Sequence, residues 1–437
     1  VKRLVYFSLL YAGSATVLRA LGFVLSLWMA RTLTQESYGA WGLIYASQTG
    51  IATFGLVGIQ EAVVGLLKHQ RGEHKRRRLY AAANAAFLRT VGVTLLVAAV
   101  YSGFFLVPKS SGAAGVIGVL ISGALLAFAT LQAQIIRLEE DHLGSLSFSF
   151  GVPLAGLLGS FGVFAIYRSI EGFFVGSAIA MIIAVLVLQG RSKVRLIGRL
   201  VEVPDRVLRM QVLSRLTPFI AVAFFGWLSG YGNTFFVDQI FDSAEVARLT
   251  FVLTIGSMIQ LVSSALNQVW SPRFFSLMRS QPFDAVERRN QRFFNSLALV
   301  LGALTGLCVV GLPPLLRFVG GNLTAYTSMH IELFLVASGY IVLAPWSHCQ
   351  NYFLAHDKGK LLLRVVIVTS VIGIGVWLAL MWLLGPMGIY VGFFAQMLLR
   401  SVGIALAARG QWPVRIGWGG VAAGMLLAAI GLLIAMI

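Results

Sequence analysis

Thirteen long apolar runs constrain this chain more than any other feature. They cover residues 5–30, 38–67, 79–107, 113–136, 143–167, 170–189, 211–237, 246–271, 293–318, 326–354, 361–384, 386–408 and 416–437. One membrane crossing requires about 20 consecutive apolar residues. Water does not reach a backbone amide inside the hydrocarbon layer, so each run must close its own hydrogen bonds as a helix. The runs show no strand alternation. They predict an all-α polytopic membrane protein. Charged residues make up 11% of the 437 positions, against roughly 25% in soluble proteins, which excludes a chain solvated over most of its length. Cys308 and Cys349 both lie in apolar runs and are expected to pack as small hydrophobes rather than to pair. The first run is too long for a cleavable signal and no A-x-A site follows it, so it is expected to stay in the membrane.

A net charge of +18 could point to nucleic acid. The positions of the charges argue otherwise. With the N-terminus in the cytoplasm, 25 of the 34 Lys and Arg residues fall in cytoplasmic segments and five in the opposite loops, as the positive-inside rule requires. The basic runs then act as anchors beside anionic lipid headgroups, and no nucleic-acid partner is expected. The longest cytoplasmic loop, 190–210, places Val194, Ile197, Leu200 and Val201 at helical spacing among Arg191, Arg195 and Arg199. It reads as an amphipathic linker between two six-helix bundles, 1–189 and 211–410, with 411–437 an additional transmembrane helix. Loop 273–292, with Arg288, Arg289 and Arg292, is a second such stretch. Segments 30–47 and 237–254 each join a span end, a polar turn, an acidic residue and an apolar run. That similarity suggests a parallel repeat, both halves starting on the same side.

The chain lacks the marks of covalent chemistry. The outward loops are short, and the largest, around 318–326, carries no cluster of His, Asp or Glu. It has no G-x-x-x-x-G-K phosphate cradle, no metal-spaced Cys or His set and no nucleophile elbow. No catalytic residue, metal or cofactor is expected, and an ATP-driven pump is excluded as a single chain. Transport of a substrate across the bilayer is the remaining expectation, driven by a gradient or running downhill.

Polar residues inside the spans carry the functional argument, because a charge at the membrane centre costs at least about 2.5 kcal/mol. Arg19 lies mid-span on one helical face with Ser8, Tyr11, Ala12, Ala15, Gly22 and Ser26. That small, polar face suits a cavity wall; alternatively Arg19 pairs with an acid as structural glue. Arg89 and Arg400 either add to a positive cavity or snorkel to the headgroups. Arginine forks suit an anionic, for instance diphosphate-linked, substrate. Glu61, Asp238 and Glu332 are the intramembrane acids, open to a role in ion coupling or in structural pairing. His348 either lines the cavity or is a satisfied core histidine, and Gln396 either bonds substrate hydroxyls or joins helices.

The stretch 8–65 resembles the N-terminus of Wzx-type polysaccharide flippases, in the multidrug/oligosaccharidyl-lipid/polysaccharide exporter superfamily. The residues that carry the resemblance are Ala30-Arg31, then Glu36 ahead of Tyr38-Gly39, then Phe54-Gly55 and Gly58. In the second half Asp238 with Ala244 to Ala247, and Trp270-Ser271-Pro272, look like family features, although Gln239 stands where an Arg is common. The resemblance implies two six-helix bundles around a central cavity in a bacterial inner membrane. It implies a substrate that is an undecaprenyl-diphosphate-linked oligosaccharide, turned from the cytoplasmic to the outer leaflet. A glycan polymerase would be the partner that receives the product. The thirteenth span is unusual for a twelve-span member. Alternatives are a multidrug exporter or a lipid II flippase of the same superfamily and, from another class, a membrane glycosyltransferase or polymerase.

Overall fold

The structure is a computed structural model, which describes residues 2–67, 72–106, 112–191, 206–356 and 358–437. Among these residues the secondary structure is helical, without strands. Thirteen helical segments are long and apolar enough to cross a membrane, in agreement with the thirteen runs. Contacts group the chain into two compact units: residues 1–25 with 36–236, and residues 26–35 with 237–437.

The first unit contains α1 (Lys2–Thr32, through residue 25), α2 (Gln35–Leu56, from residue 36), α3 (Ile59–Leu67), α4 (Glu73–Tyr101) and α5 (Gly112–Leu138). It continues with α6 (His142–Leu146), α7 (Val152–Tyr167), α8 (Ile170–Arg191), α9 (Arg206–Ser214), α10 (Thr217–Trp227) and α11 (Asn233–Ile240, through residue 236). Several spans here are interrupted. Gly58, at a φ of 72°, separates α2 from α3, a conformation that costs glycine nothing. Single π-helical turns at Ser102–Leu106, Ser147–Gly151 and Leu228–Gly232 extend α4 and join α6 to α7 and α10 to α11. A core of Ile59, Val63, Leu79, Phe87, Leu131 and Val212 ties α3, α4, α5 and α9 together. The seventh crossing begins at Phe219 rather than 211. Ahead of it the chain turns at Arg215 and Leu216, whose amides bond back to Val212 and Leu213. Residues 192–205 of the expected linker lie outside the described residues. Residues 211–236 group with the first unit because Trp227 donates its indole N–H to the Ala46 carbonyl at 3.1 Å and packs on Phe54.

The second unit holds the end of α1, then α12 (Ser243–Ser280), α13 (Phe283–Val319), α14 (His330–Val342), α15 (Ala344–Ala355), α16 (Gly359–Leu384), α17 (Met387–Arg409) and α18 (Trp418–Met436). The end of α1 is held by the Asn322 amide, which donates to the Leu33 carbonyl at 2.7 Å. Expected loop 273–292 is mostly helix, and only Gln281 and Pro282 separate α12 from α13. Its arginines are good helix formers, and Val286, Asn290 and Phe294 supply a buried face. The thirteenth span, α18, packs along α13 and α14. Glycines make this close approach possible: a β-carbon on Gly302 or Gly306 would meet the α18 backbone. Cys308 and Cys349 are both free thiols.

Candidate functional site

Arg19 projects from the exposed middle of α1. The exposed apolar side chains of that stretch, Val17, Leu21 and Val24, lie on the opposite side of the helix at 3.6 residues per turn. Arg19 forms no hydrogen bond or ion pair among the described residues. Its charge falls within electrostatic reach of the Tyr45 and Tyr231 hydroxyls. Those rings meet edge to face at 5.8 Å, and Tyr45 also stacks on Trp41 at 5.3 Å. Tyr231 belongs to the π turn of residues 228–232. What emerges is one unpaired guanidinium within electrostatic reach of the packed Trp41, Tyr45 and Tyr231 group. Sequence reasoning reached Arg19; Tyr45 was missed because an isolated tyrosine on an apolar helix carries no spacing signal.

The other expected substrate residues are dispersed. Tyr11 is tied elsewhere: its hydroxyl donates to the His142 carbonyl at 2.9 Å, and Arg137 lies over its ring at 4.4 Å. Arg89 sits on the same stripe of α4 as the exposed Val93, Leu96 and Val100, a position from which an arginine reaches headgroups. Arg400 donates from Nη2 to Ser370 Oγ at 3.2 Å, and its buried Nε has no partner among the described residues. Gln396, one turn earlier, is buried against Gly373 of α16.

The three expected ion-coupling acids also stand apart. Glu61 is exposed on α3. Asp238 is buried and accepts weak hydrogen bonds from Gln239 Nε2 at 3.4 Å and Ser243 Oγ at 3.5 Å. Gln239, where an Arg is common in the resembling family, thus still faces the aspartate. Glu332 lies at the start of α14 near the Glu245–Arg248 ion pair of 3.0 Å. Among the described residues, neither Arg19, Arg89 nor Arg400 pairs with any of them.

The second unit contains a polar network that sequence reasoning assigned only in part. Glu287 of α13 is buried and accepts from the Tyr352 hydroxyl and, at 2.6 Å, from the Arg415 amide. His348 Nε2 lies 3.6 Å from the same carboxylate. Asn290 accepts from the Trp270 indole at 2.7 Å. A signal existed: Glu287, Asn290, Phe294, Leu297 and Leu301 share one α13 face. Its start between Arg288, Arg289 and the turn made Glu287 look like one of the solvated loop charges. Among the described residues no His, Cys, Asp and Glu group could hold a metal ion.

Thirteen candidate spans, two compact units and broken helices make a polytopic fold shared with known membrane transporters. A multidrug-resistance MATE family transporter of the MOP superfamily, in an inward-facing conformation, is similar at a TM-score of 0.69 and 13% identity, covering 90% of this chain and 94% of that one. The lipid II flippase MurJ, in an inward closed conformation, is similar at a TM-score of 0.72 and 12% identity over 98% of this chain and 92% of that one. The eukaryotic MATE transporter AtDTX14 matches at a TM-score of 0.60 and 12% identity, over 97% and 96%. At such identities the likeness is one of fold. Residues 7–278 match the family described as "Polysaccharide biosynthesis protein", and the chain belongs to that family. No curated protein sequence matches it.

Proposed function

We propose that this protein is a flippase for an undecaprenyl-diphosphate-linked oligosaccharide, moved by alternating access from the cytoplasmic to the outer leaflet of the bacterial inner membrane. In this reading the N-terminus is cytoplasmic and a glycan polymerase takes the product. The observation that carries it is Arg19, an unpaired guanidinium on the side of α1 away from its apolar stripe. A cation left without a protein partner at membrane depth calls for an anion to offset its desolvation. A diphosphate suits the arginine fork, and the Tyr45 and Tyr231 rings offer faces for sugar C–H groups. Arg400, with its unpartnered Nε, is the second proposed contact, with Gln396 behind it. Arg89 and Tyr11 remain in the proposed substrate set as peripheral members. Glu61, Asp238 and Glu332 are the proposed coupling acids. A multidrug exporter is disfavoured because a central cation repels cationic drugs.

The test is translocation of a lipid-linked oligosaccharide by purified protein in liposomes. Arg19→Ala should abolish it and Arg19→Lys should retain part, since lysine keeps the charge but loses the fork. Full translocation by the alanine variant, at equal reconstitution, would remove Arg19 from the mechanism. Failure of wild-type protein to move the substrate would remove the function.

A further inference from the structure

The α12–α13 hairpin carries an open surface pocket of about 340 Å³ lined by Trp270, Arg273, Arg289 and Arg292. Arg273 lies three residues after Trp270 on α12, and Arg289 and Arg292 lie one turn apart on α13, so three arginines line one small pocket. None of the three forms an ion pair among the described residues. Like charges lining one pocket repel one another, and an anion among them relieves that repulsion. The nearest acid in sequence, Glu287, cannot serve. It is turned inward and engaged by Tyr352 and the Arg415 amide.

The wall of the pocket is pre-organised. Trp270 stacks on Phe293 at 4.5 Å with the rings 7° from parallel, and its indole N–H is fixed on Asn290. Asn290 in turn reaches the His348 carbonyl at 3.5 Å. The flat Trp270–Phe293 pair therefore holds its position while the exposed arginine heads adjust. The level in the membrane is also informative. Apolar runs 246–271 and 293–318 end beside the pocket, so it lies where hydrocarbon gives way to headgroups. The volume falls near the lower end of ligand pockets, suiting a compact polar head rather than a folded partner.

We infer that this pocket binds a phosphate or diphosphate ester presented by a lipid at the headgroup level. Two sources share that chemistry: an anionic phospholipid, and the lipid diphosphate of the proposed substrate as it approaches. Only the second source rests on the flippase reading. The site is distinct from Arg19, so either can fail without the other.

The experiment uses the full chain, purified and delipidated in a neutral detergent, with binding read by native mass spectrometry. The probes are phosphatidylglycerol, undecaprenyl diphosphate and phosphatidylcholine, which serves as the zwitterionic control. The variants are the triple change Arg273→Gln, Arg289→Gln, Arg292→Gln and the corresponding triple change to Lys. About 1 kcal/mol per basic residue at a lipid surface corresponds to roughly fivefold in affinity each, so the glutamine variant should bind on the order of 100-fold more weakly. The lysine variant should keep most of the attraction, and it shows that a loss is not misfolding. Binding of phosphatidylglycerol alone identifies a structural lipid site; tighter binding of undecaprenyl diphosphate identifies a substrate station. Undiminished phosphatidylglycerol binding by the glutamine variant, or no preference over phosphatidylcholine in wild type, overturns the inference. Arg19→Ala, inactive in translocation, should bind phosphatidylglycerol as wild type does.

Discussion

In the first unit the central charge, Arg19, stands exposed and unpaired on a helix with few buried residues, whereas in the second Glu287 is buried and bonded from two sides. The backbones differ in parallel. The first unit breaks its helices with three π-helical turns and a positive-φ glycine. The second breaks its tenth span at Leu343, between α14 and α15, but carries Pro272, Pro313 and Pro314 inside unbroken helices and adds a thirteenth helix through glycine contacts. A π turn leaves an extra residue without its regular partner and re-aims the side chains around it, and such turns recur at functional sites. The lesson concerns the two central charges: the first unit leaves Arg19 for something outside the protein, and the second ties Glu287 into its own cohesion.

The sharpest way to break that comparison is to remove one charge from each unit and measure stability. Glu287→Ala leaves the buried Tyr352 hydroxyl and the Arg415 amide without their acceptor, which should cost about 3 kcal/mol. Arg19→Ala loses no hydrogen bond or ion pair among the described residues and should change stability by less than about 0.5 kcal/mol, although it is expected to abolish transport. Thermal unfolding in one detergent reports both. Equal losses would mean that Arg19 is structural glue and that the two units do not differ in this way.

The same comparison shows what could be read before any coordinates. All thirteen spans were legible, because lipid allows a long apolar run no conformation but a helix. Arg19 was legible for the same reason: a charge in such a run stands out. Interruptions within spans were not. Ser147–Gly151 and Leu228–Gly232 contain nothing that distinguishes a π turn from an α-helix at the level of hydropathy. Tertiary contacts such as Trp227 on Ala46 decide where the extra residue is accommodated. The expected loop 273–292 was misjudged because hydropathy reports where lipid ends, not where a helix ends. α12 runs to Ser280 and α13 starts at Phe283, well beyond the apolar stretch. Glu287 was hidden by the same error.

A second, smaller effect tests the cohesion of the second unit. Gly302 of α13 faces the Gly424 backbone of α18 too closely for a β-carbon. Gly302→Val should push the thirteenth helix away and cost about 2 kcal/mol through overpacking. Gly162→Val in the first unit, where a β-carbon meets nothing within 4 Å, is the matched control. If the two substitutions are equally harmless in thermal unfolding, α18 is an appendage and not part of the packed unit.

The smallest stability effect falls on the joint that positions the Arg19 site. Trp227 ends α10 immediately before the π turn that carries Tyr231, and its indole N–H holds that joint to the Ala46 carbonyl of α2. Tyr45 lies one residue before Ala46, so the bond helps fix both tyrosines within electrostatic reach of Arg19. Trp227→Phe keeps an aromatic ring against Phe54 but loses the hydrogen bond, worth about 1 kcal/mol. If the first unit uses its irregular helices to hold a binding wall, this modest loss should come with a disproportionate fall in translocation, several-fold at unchanged protein level. Removing a hydrogen bond of similar worth in the second unit, Ser401→Ala, which ends donation to the Val342 carbonyl, should cost comparable stability and little transport. Parallel falls in transport for both variants would show that the π turn is only packing, and that the functional asymmetry between the units rests on Arg19 alone.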